Sequence, residues 1–203
     1  MQATTDFVHA YVEGARERPL LLLHGTGGDE HDLLPLGERL APGRALLSPR
    51  GRVSENGMPR FFRRFAEGRF DHDDVRARAD ELAAFVREQR AARGLGAPIA
   101  VGFSNGANIA AAMLWRHADV LSAAVLIRAM TPLPEAPTAK LDGLPVLILT
   151  GAMDPIVPAA DADRLAAALA GAGARLAHTR LPAGHGLTNG DLGAAMDFVG
   201  GLA

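Results

Sequence analysis

The sequence predicts a doubly wound α/β fold, in which a mostly parallel central sheet carries helices on both faces. Short, nearly unbroken apolar runs recur along the chain, and such runs are typical of strands buried on both faces of a parallel sheet. Helical stretches lie between or after them, which favours right-handed crossovers. With 203 residues, 48 % of them hydrophobic, the chain can bury the core of one domain spanning 1–203.

The apolar runs predict five buried strands, at residues 19–25, 44–49, 98–104, 123–129 and 145–151. Two other segments, "DFVHAYVEG" near the start and "ARLAHTRLP" near the end, alternate between polar and apolar residues. A period of two is typical of half-buried strands, so these two segments are predicted to lie nearer a sheet edge.

The clearest helix covers residues 73–94, where apolar residues follow a three- and four-residue spacing. Asp73 or Asp74 is predicted to cap it, and Gly94 to end it. Three more helical stretches cover 105–118, 158–173 and 190–202.

Residues 50–72 are rich in Gly, Arg and Phe and have no clear period. Because they follow a predicted strand, we expect them over the carboxyl edge of the sheet, where open α/β sheets bind ligands. This insertion is only a loop of roughly two dozen residues, so no separate lid domain is predicted.

Composition excludes several classes of protein and site. A formal net charge of -2, with no long block of one sign, gives no electrostatic reason to bind nucleic acid or anionic membranes. The chain has no cysteine, which excludes disulfides, thiolate metal sites and cysteine nucleophiles. No cleavable signal is visible, and the apolar runs are far shorter than the roughly 20 residues of a membrane span. We therefore expect a cytoplasmic protein without membrane insertion.

The pentapeptide "GFSNG" at 102–106 stands between a predicted strand and a predicted helix. A nucleophile elbow requires this context, because the serine sits on a strained turn and small neighbours let the backbones pass closely. An ordinary glycine turn would also match the letters. The position between strand and helix favours Ser104 as a catalytic nucleophile.

A serine nucleophile needs a base, which follows it in chain order in this architecture. Three histidines follow Ser104. His117 falls in the helix after the elbow and His178 inside an alternating strand, so both are interpreted as surface or packing residues. His185 lies in the loop "LPAGHGLTNG" after the last strand and is the predicted base.

Asp154 is the carboxylate best placed to orient that base, since it follows a buried strand at the same sheet edge. Asp142 precedes that strand and would lie at the opposite edge. Asp161 and Asp163 belong to the following helix. A local role for Asp154 as a turn or helix cap is the structural alternative.

Two backbone N–H groups are predicted to form an oxyanion hole, those of Thr26 and Asn105. Asn105 follows the serine, and Thr26 lies in the glycine-rich loop "HGTGGDE" after an earlier strand. A metal site of His24, Asp29 and His31 is the alternative for this loop, but their spacing matches no compact ligand set.

The strings "LLLHGTGGDEHDLLPL", "SPRG", "GFSNGANIA", "TGAMDPIVP" and "AGHGLT" resemble the phospholipase/carboxylesterase family of small α/β-hydrolases. That family includes acyl-protein thioesterases and bacterial carboxylesterases. The resemblance implies a single-domain α/β-hydrolase with a triad of Ser104, Asp154 and His185 and an oxyanion hole at Thr26 and Asn105. Acyl-protein thioesterases usually carry glutamine after the nucleophile, so Asn105 looks more like the bacterial carboxylesterase branch, which includes hydrolases associated with hydroquinone stress.

The predicted reaction is two-step hydrolysis of a small-molecule carboxylic ester, either an ester of short or medium chain or an aryl ester, with no metal or organic cofactor. The predicted pocket residues are apolar side chains near the sheet edge, although phenylalanines at this spacing are as often core residues: Met58, Phe61, Phe62, Phe65, Met130, Pro132 and Leu187.

A thioesterase or lysophospholipase would share the predicted triad. A dienelactone-type hydrolase would use the same fold but typically a cysteine nucleophile, which this chain lacks. A non-catalytic binding protein on this scaffold would be expected to lose a member of the triad. The chain is expected to be a monomer or a homodimer.

Overall fold

The computed structural model describes residues 6–202. Its strands, in chain order, are β1 (His9–Val12), β2 (Ala15–Leu23), β3 (Arg44–Pro49), β4 (Val53–Glu55), β5 (Met58–Arg60), β6 (Arg64–Ala66), β7 (Arg69–Phe70), β8 (Ile99–Phe103), β9 (Ala123–Ile127), β10 (Pro145–Gly151) and β11 (Arg175–Leu181). Its helices are α1 (Leu34–Leu40), α2 (His72–Arg93), α3 (Asn105–Arg116), α4 (Ala159–Gly171) and α5 (Asn189–Gly200), with a 3₁₀ turn at Ala118–Val120.

Seven strands form the central sheet in the order β1-β3-β2-β8-β9-β10-β11. All neighbours are parallel except β1, which pairs with β3 in the antiparallel sense. The five apolar runs are the interior strands, and the two alternating segments are the edge strands β1 and β11. The predicted single-domain α/β fold with a mostly parallel sheet is therefore confirmed.

Helices cover both faces of the sheet. Along β2, Leu21 and Leu23 pack into the cluster that holds the buried faces of α2, α3 and α4, while Leu20 and Leu22 point to the opposite cluster with α1 and α5. Successive strand residues point to opposite faces, so a strand buried on both sides needs apolar residues at every position.

Two local features differ from the sequence predictions, the cap of α2 and the presence of α1. The cap of α2 is Asp71 rather than Asp73 or Asp74, because the Asp71 side chain accepts from the N–H of Asp74. Gly94 ends the helix in the left-handed conformation, as predicted, with φ 65°. The helix α1 was not predicted from the sequence.

The segment between β3 and α2 forms two small antiparallel hairpins, β4–β5 and β6–β7. The first hairpin turns through Asn56 and Gly57, both at positive φ (54° and 82°). An Asn-Gly pair is the preferred sequence for such a two-residue turn, so this hairpin was readable from "ENGM" although no periodicity revealed it.

Within residues 6–202, no helix has both the length and the apolar character needed to cross a membrane.

Candidate active site

Ser104 lies in the sharp turn that joins β8 to α3. Its backbone has φ 51° and ψ -113°, a conformation that residues other than glycine rarely adopt and that costs on the order of 1–3 kcal/mol. The turn is held because the N–H of Ser104 donates to the carbonyl of Ile127 at 2.8 Å. A Cβ on Gly106 would overlap the carbonyl oxygen of Leu23, and a Cβ on Gly102 would lie 2.5 Å from the carbonyl oxygen of Gly106. The glycines therefore permit the close backbone contacts of the elbow.

The structure brings Ser104, His185 and Asp154 into one hydrogen-bonded chain. The Nε2 atom of His185 lies 2.9 Å from the Oγ of Ser104, and its Nδ1 lies 2.9 Å from Oδ2 of Asp154. The three residues come from the ends of β8, β10 and β11, and these parallel strands present their carboxyl ends at one edge of the sheet.

The Asp154 side chain is buried, with 1 % of its surface exposed, yet its surroundings favour the ionised carboxylate. Burial alone would raise its pKa, but hydrogen bonds from the N–H groups of Ile156 and Val157 and the contact with His185 outweigh burial, so the pKa lies below its usual value. An ionised Asp154 accepts the Nδ1 proton of His185. The Nε2 lone pair then faces Ser104, as a general base requires.

Thr26 and Asn105, the predicted oxyanion-hole residues, both border the cavity that contains Ser104. Asn105 opens α3, so its backbone N–H belongs to the first turn of a helix, where N–H groups lack intrahelical acceptors. The Asn105 side chain is buried, and its Oδ1 accepts the N–H of Phe61 at 2.7 Å.

The loop that carries Thr26 is tied down on both sides. The buried His24 ring contacts the Gly25 carbonyl through Nδ1 at 2.7 Å and accepts the N–H of Gly51 through Nε2 at 2.9 Å. Burial lowers the pKa of His24, although the bond to Gly25 opposes that shift, so the neutral ring with its proton on Nδ1 fits both contacts. The guanidinium of Arg60 donates to the Thr26 hydroxyl at 2.6 Å.

His24 is therefore engaged with the backbone on both ring nitrogens. Among the described residues, 6–202, no group of three or more histidine and carboxylate side chains is arranged to hold a metal ion.

The cavity around Ser104 has a volume of about 200 Å³. It contains apolar side chains and three arginines, and its lining consists of Thr26, Arg60, Arg64, Glu67, Phe70, Phe103, Ser104, Asn105, Asn108, Arg128, Met130, Ile156, Val157 and His185. Arg60 and Arg64 share the carboxylate of Glu55, and Arg64 also pairs with Glu67. The positive charges at this wall are thus balanced by neighbouring carboxylates.

Of the seven apolar residues predicted to form the pocket, Met130 borders this cavity. Phe61, Phe62 and Pro132 are buried elsewhere, whereas Met58, Phe65 and Leu187 are exposed and do not border it. The Phe61 ring packs on His24, with ring centroids 4.8 Å apart, so it supports the Thr26 loop from the core side. Phe61 and Phe62 lie between the β4–β5 and β6–β7 hairpins, which direct their rings into the core rather than toward Ser104.

Sequence reasoning did not select several of the residues that border the cavity. Phe103 and Asn108 flank the elbow, and Ile156 and Val157 follow Asp154, so proximity along the chain was an available signal. Arg128 had no such signal, because its environment arises from contacts distant in sequence.

The fold and the comparisons with known proteins define the chain as a hydrolase with an α/β fold. The model of the dienelactone hydrolase family matches residues 63–195, more than half of the chain. The chain therefore belongs to the dienelactone hydrolase family. It lacks the cysteine nucleophile that is typical of dienelactone-type enzymes, and Ser104 stands at the elbow.

A Bacillus subtilis (strain 168) protein named "Putative hydrolase MhqD" is 43 % identical over 192 residues, which cover 94 % of this chain and 96 % of that protein. The Bacillus cereus carboxylesterase has a crystal structure that matches with a TM-score of 0.95 and 40 % identity, covering 100 % of this chain and 97 % of that one. A carboxylesterase from Mesorhizobium loti matches with a TM-score of 0.88 and 31 % identity, covering 93 % of this chain and 90 % of that one. The resemblance to bacterial carboxylesterases is confirmed.

Proposed function

We propose that this hydrolase is a serine carboxylesterase that acts on small carboxylic esters through an acyl-enzyme intermediate. The observation that carries the proposal is the unbroken hydrogen-bonded chain from Ser104 through His185 to Asp154 at the wall of a cavity. The carboxylesterases among the related structures support the same reaction class.

In the first step the Ser104 Oγ attacks the ester carbonyl carbon while His185 Nε2 takes the hydroxyl proton. A C–O bond forms, and the carbonyl oxygen becomes an oxyanion. His185 then gives this proton to the leaving alkoxide as the ester C–O bond breaks. The alcohol departs and an acyl-Ser104 ester remains.

In the second step His185 takes a proton from a water molecule, whose oxygen attacks the acyl carbon. Collapse of the tetrahedral intermediate breaks the bond to Ser104 Oγ, which recovers its proton from His185, and the carboxylic acid leaves. Asp154 stays ionised throughout and stabilises the transient imidazolium. The backbone N–H groups of Thr26 and Asn105 are the proposed donors to the oxyanion in both steps.

The size of the cavity supports short to medium acyl or aryl groups at the reacting carbon. A volume of about 200 Å³ lies below the roughly 300–1,000 Å³ of pockets that enclose drug-sized ligands. The apolar walls, Phe70, Phe103, Met130, Ile156 and Val157, favour hydrocarbon over strongly polar groups.

The test is hydrolysis of p-nitrophenyl esters from acetate to laurate by wild type, Ser104→Ala and Ser122→Ala. Ser122 is a partly buried serine directly before β9 and serves as the matched control. We expect Ser104→Ala to lose at least about a thousandfold in kcat, and Ser122→Ala to retain the wild-type rate. A Ser104→Ala variant with wild-type activity would contradict the proposal. Higher kcat/KM on the matching thioesters would leave the proposed catalytic residues unchanged and make the substrate class thioesters.

A further inference from the structure

Arg128 is an arginine at the end of β9, inside the protein rather than on its surface. Its side chain is 0 % exposed and that of its partner Asp191 is 1 % exposed. Its backbone has φ 58°, a left-handed conformation that side-chain-bearing residues adopt rarely. The N–H of Arg128 donates to the Leu149 carbonyl at 2.9 Å, which holds this conformation against β10.

The guanidinium of Arg128 holds the histidine loop from both sides. Its Nε donates to the carbonyl of Gly184 at 2.8 Å, and its Nη2 lies 3.4 Å from the carbonyl of Gly186. These two residues flank His185, and glycines have no side chain with which to restrain the loop themselves. The carbonyls on both sides of His185 are therefore held by a single side chain, that of Arg128.

The same guanidinium joins the loop to the helix that follows it. Nη1 and Nη2 form a two-pronged pair with the Asp191 carboxylate at 2.8 and 3.0 Å. Asp191 also accepts from the N–H and the hydroxyl of Thr188, which caps α5. The Nε of Arg128 lies 4.0 Å from Oδ2 of Asp154, the atom that contacts His185.

We propose that Arg128 is a positioning residue for His185, one that fixes the backbone on both sides of the imidazole so that its two nitrogens meet Ser104 and Asp154 together. Lysine cannot replace it, because a single ammonium cannot span two carbonyls and both carboxylate oxygens. The inference rests on the esterase function proposed above and adds a residue outside the triad to it.

The test compares two charge-neutral double variants, Arg128→Met/Asp191→Asn and Arg116→Met/Asp80→Asn. Both remove a two-pronged arginine–aspartate pair, but the second pair joins α3 to α2 away from His185. Removing both partners avoids a lone buried charge, which would destabilise the fold for a trivial reason. Arg128→Lys, which keeps the charge, provides an independent variant if the first double variant does not fold.

The readouts are kcat and KM on p-nitrophenyl acetate, the melting temperature, and the downfield proton resonance of the His185–Asp154 hydrogen bond. We expect a folded Arg128 variant to lose about tenfold to a hundredfold in kcat with KM nearly unchanged, because a displacement of about 1 Å has this effect on a catalytic group. The downfield resonance of the Arg128 variant should broaden or disappear. The Arg116 double variant should keep both the wild-type kcat and the resonance. A folded Arg128 variant with wild-type kcat and resonance would overturn the proposal. Inactivity of wild type would instead refute the esterase function itself.

A separate observation concerns a second depression beside the Ser104 cavity. It has a volume of about 550 Å³ and lies between the loop after β9 and α4, where Trp115, Leu133 and Ala167 contribute to its walls. Phe70 and Met130 border both spaces. A further depression of about 350 Å³ shares Met130 and Ile156 with the Ser104 cavity. Met130 is therefore the wall common to all three spaces, and its unbranched thioether is an adaptable side chain.

We infer that this depression holds the alkyl part of a longer ester whose carbonyl reacts at Ser104. Trp115, Leu133 and Ala167 give the depression an apolar part, and its charged lining residues are neutralised in pairs, Asp161 with Arg164 and Glu135 with Arg76. The cavity around Ser104 alone is too small for a medium-length chain and the reacting group together. The inference deepens the proposed function by naming the substrate as an ester with an unbranched alkyl chain. Whether the chain belongs to the acid or to the alcohol is decided by two substrate series.

The test uses Ala167→Trp and Ala170→Trp, two exposed alanines of α4 of which Ala167 borders the depression and Ala170 does not. Each variant is assayed with two series of substrates. In the p-nitrophenyl esters the acyl chain varies from about two to twelve carbons, and in the alkyl acetates the alcohol chain varies over the same range. We expect wild-type kcat/KM to rise with chain length in one of the two series. In that series, Ala167→Trp should lower the ratio of kcat/KM for the twelve-carbon chain to kcat/KM for the two-carbon chain about tenfold relative to Ala170→Trp. Equal ratios in the two variants would overturn the inference. If wild type hydrolyses neither series, the esterase function itself is refuted instead.

Discussion

Replacing Asp154 by asparagine removes one charge and keeps the shape of the side chain. The amide oxygen can still accept from the N–H groups of Ile156 and Val157, which bind Oδ1 at 2.8 and 3.1 Å. The amide nitrogen then occupies the Oδ2 position, 2.9 Å from Nδ1 of His185. Because an amide NH₂ only donates, His185 must turn its Nδ1 lone pair toward it and carry its proton on Nε2.

The consequence is a histidine that presents N–H, rather than a lone pair, to Ser104. A base in the wrong tautomer is expected to lower kcat by about 10⁴, or about 5.4 kcal/mol at 1.36 kcal/mol per tenfold change. The free energy of unfolding at neutral pH should fall modestly, because the Oδ1 hydrogen bonds persist while the charge-dependent stabilisation behind the lowered pKa of Asp154 is lost.

The assay is kcat on p-nitrophenyl acetate with urea unfolding of the same samples, and Asp142→Asn is the control at the opposite edge of the sheet. The Asp142 variant should keep wild-type kcat. The depressed pKa of Asp154 means that its contribution to stability is present above about pH 4 and is lost as pH falls through the folded-state pKa. The asparagine variant should therefore lose this part of the acid dependence. Retention of more than about a tenth of wild-type kcat would refute the assignment of Asp154 as the orienting acid.

Two further predictions concern the elbow and the loop beside it. Gly106→Ala places a Cβ against the backbone carbonyls of Leu23 and His24 and should cost about 3 kcal/mol or more, or prevent folding. Gly200→Ala meets nothing within 4 Å and should be neutral or stabilising. Urea unfolding compares the two variants, and equal stabilities would contradict the packing argument. Burial lowers the pKa of His24 and of His178, so the unfolded chain binds more protons and the free energy of unfolding should fall as pH drops below about 6.5. Wild type and His24→Gln, unfolded in urea at several pH values, check this: the variant should show a shallower slope, and an unchanged slope would exclude His24 as a contributor.

The sequence by itself determined the architecture and the three residues of the candidate triad. Strands buried on both faces must be apolar at nearly every position. The contiguous apolar runs therefore located β2, β3, β8, β9 and β10 from the sequence pattern alone. Parallel strands share one carboxyl edge, so a serine, a carboxylate and a histidine that each follow such a strand were expected to meet there. In the structure Ser104, Asp154 and His185 do meet, at hydrogen-bond distances.

Only the tertiary structure decided which side chains surround that chain. Phe61 and Phe62 are apolar and close to the site in sequence, yet the β4–β5 hairpin and the residues after it turn them into the core. Arg128 contacts Gly184 and Asp191, which follow it by 56 and 63 residues. Such partners are set by how β9, β10 and the histidine loop pack, since a local pattern specifies an element and the face it buries but not the distant groups that will face it.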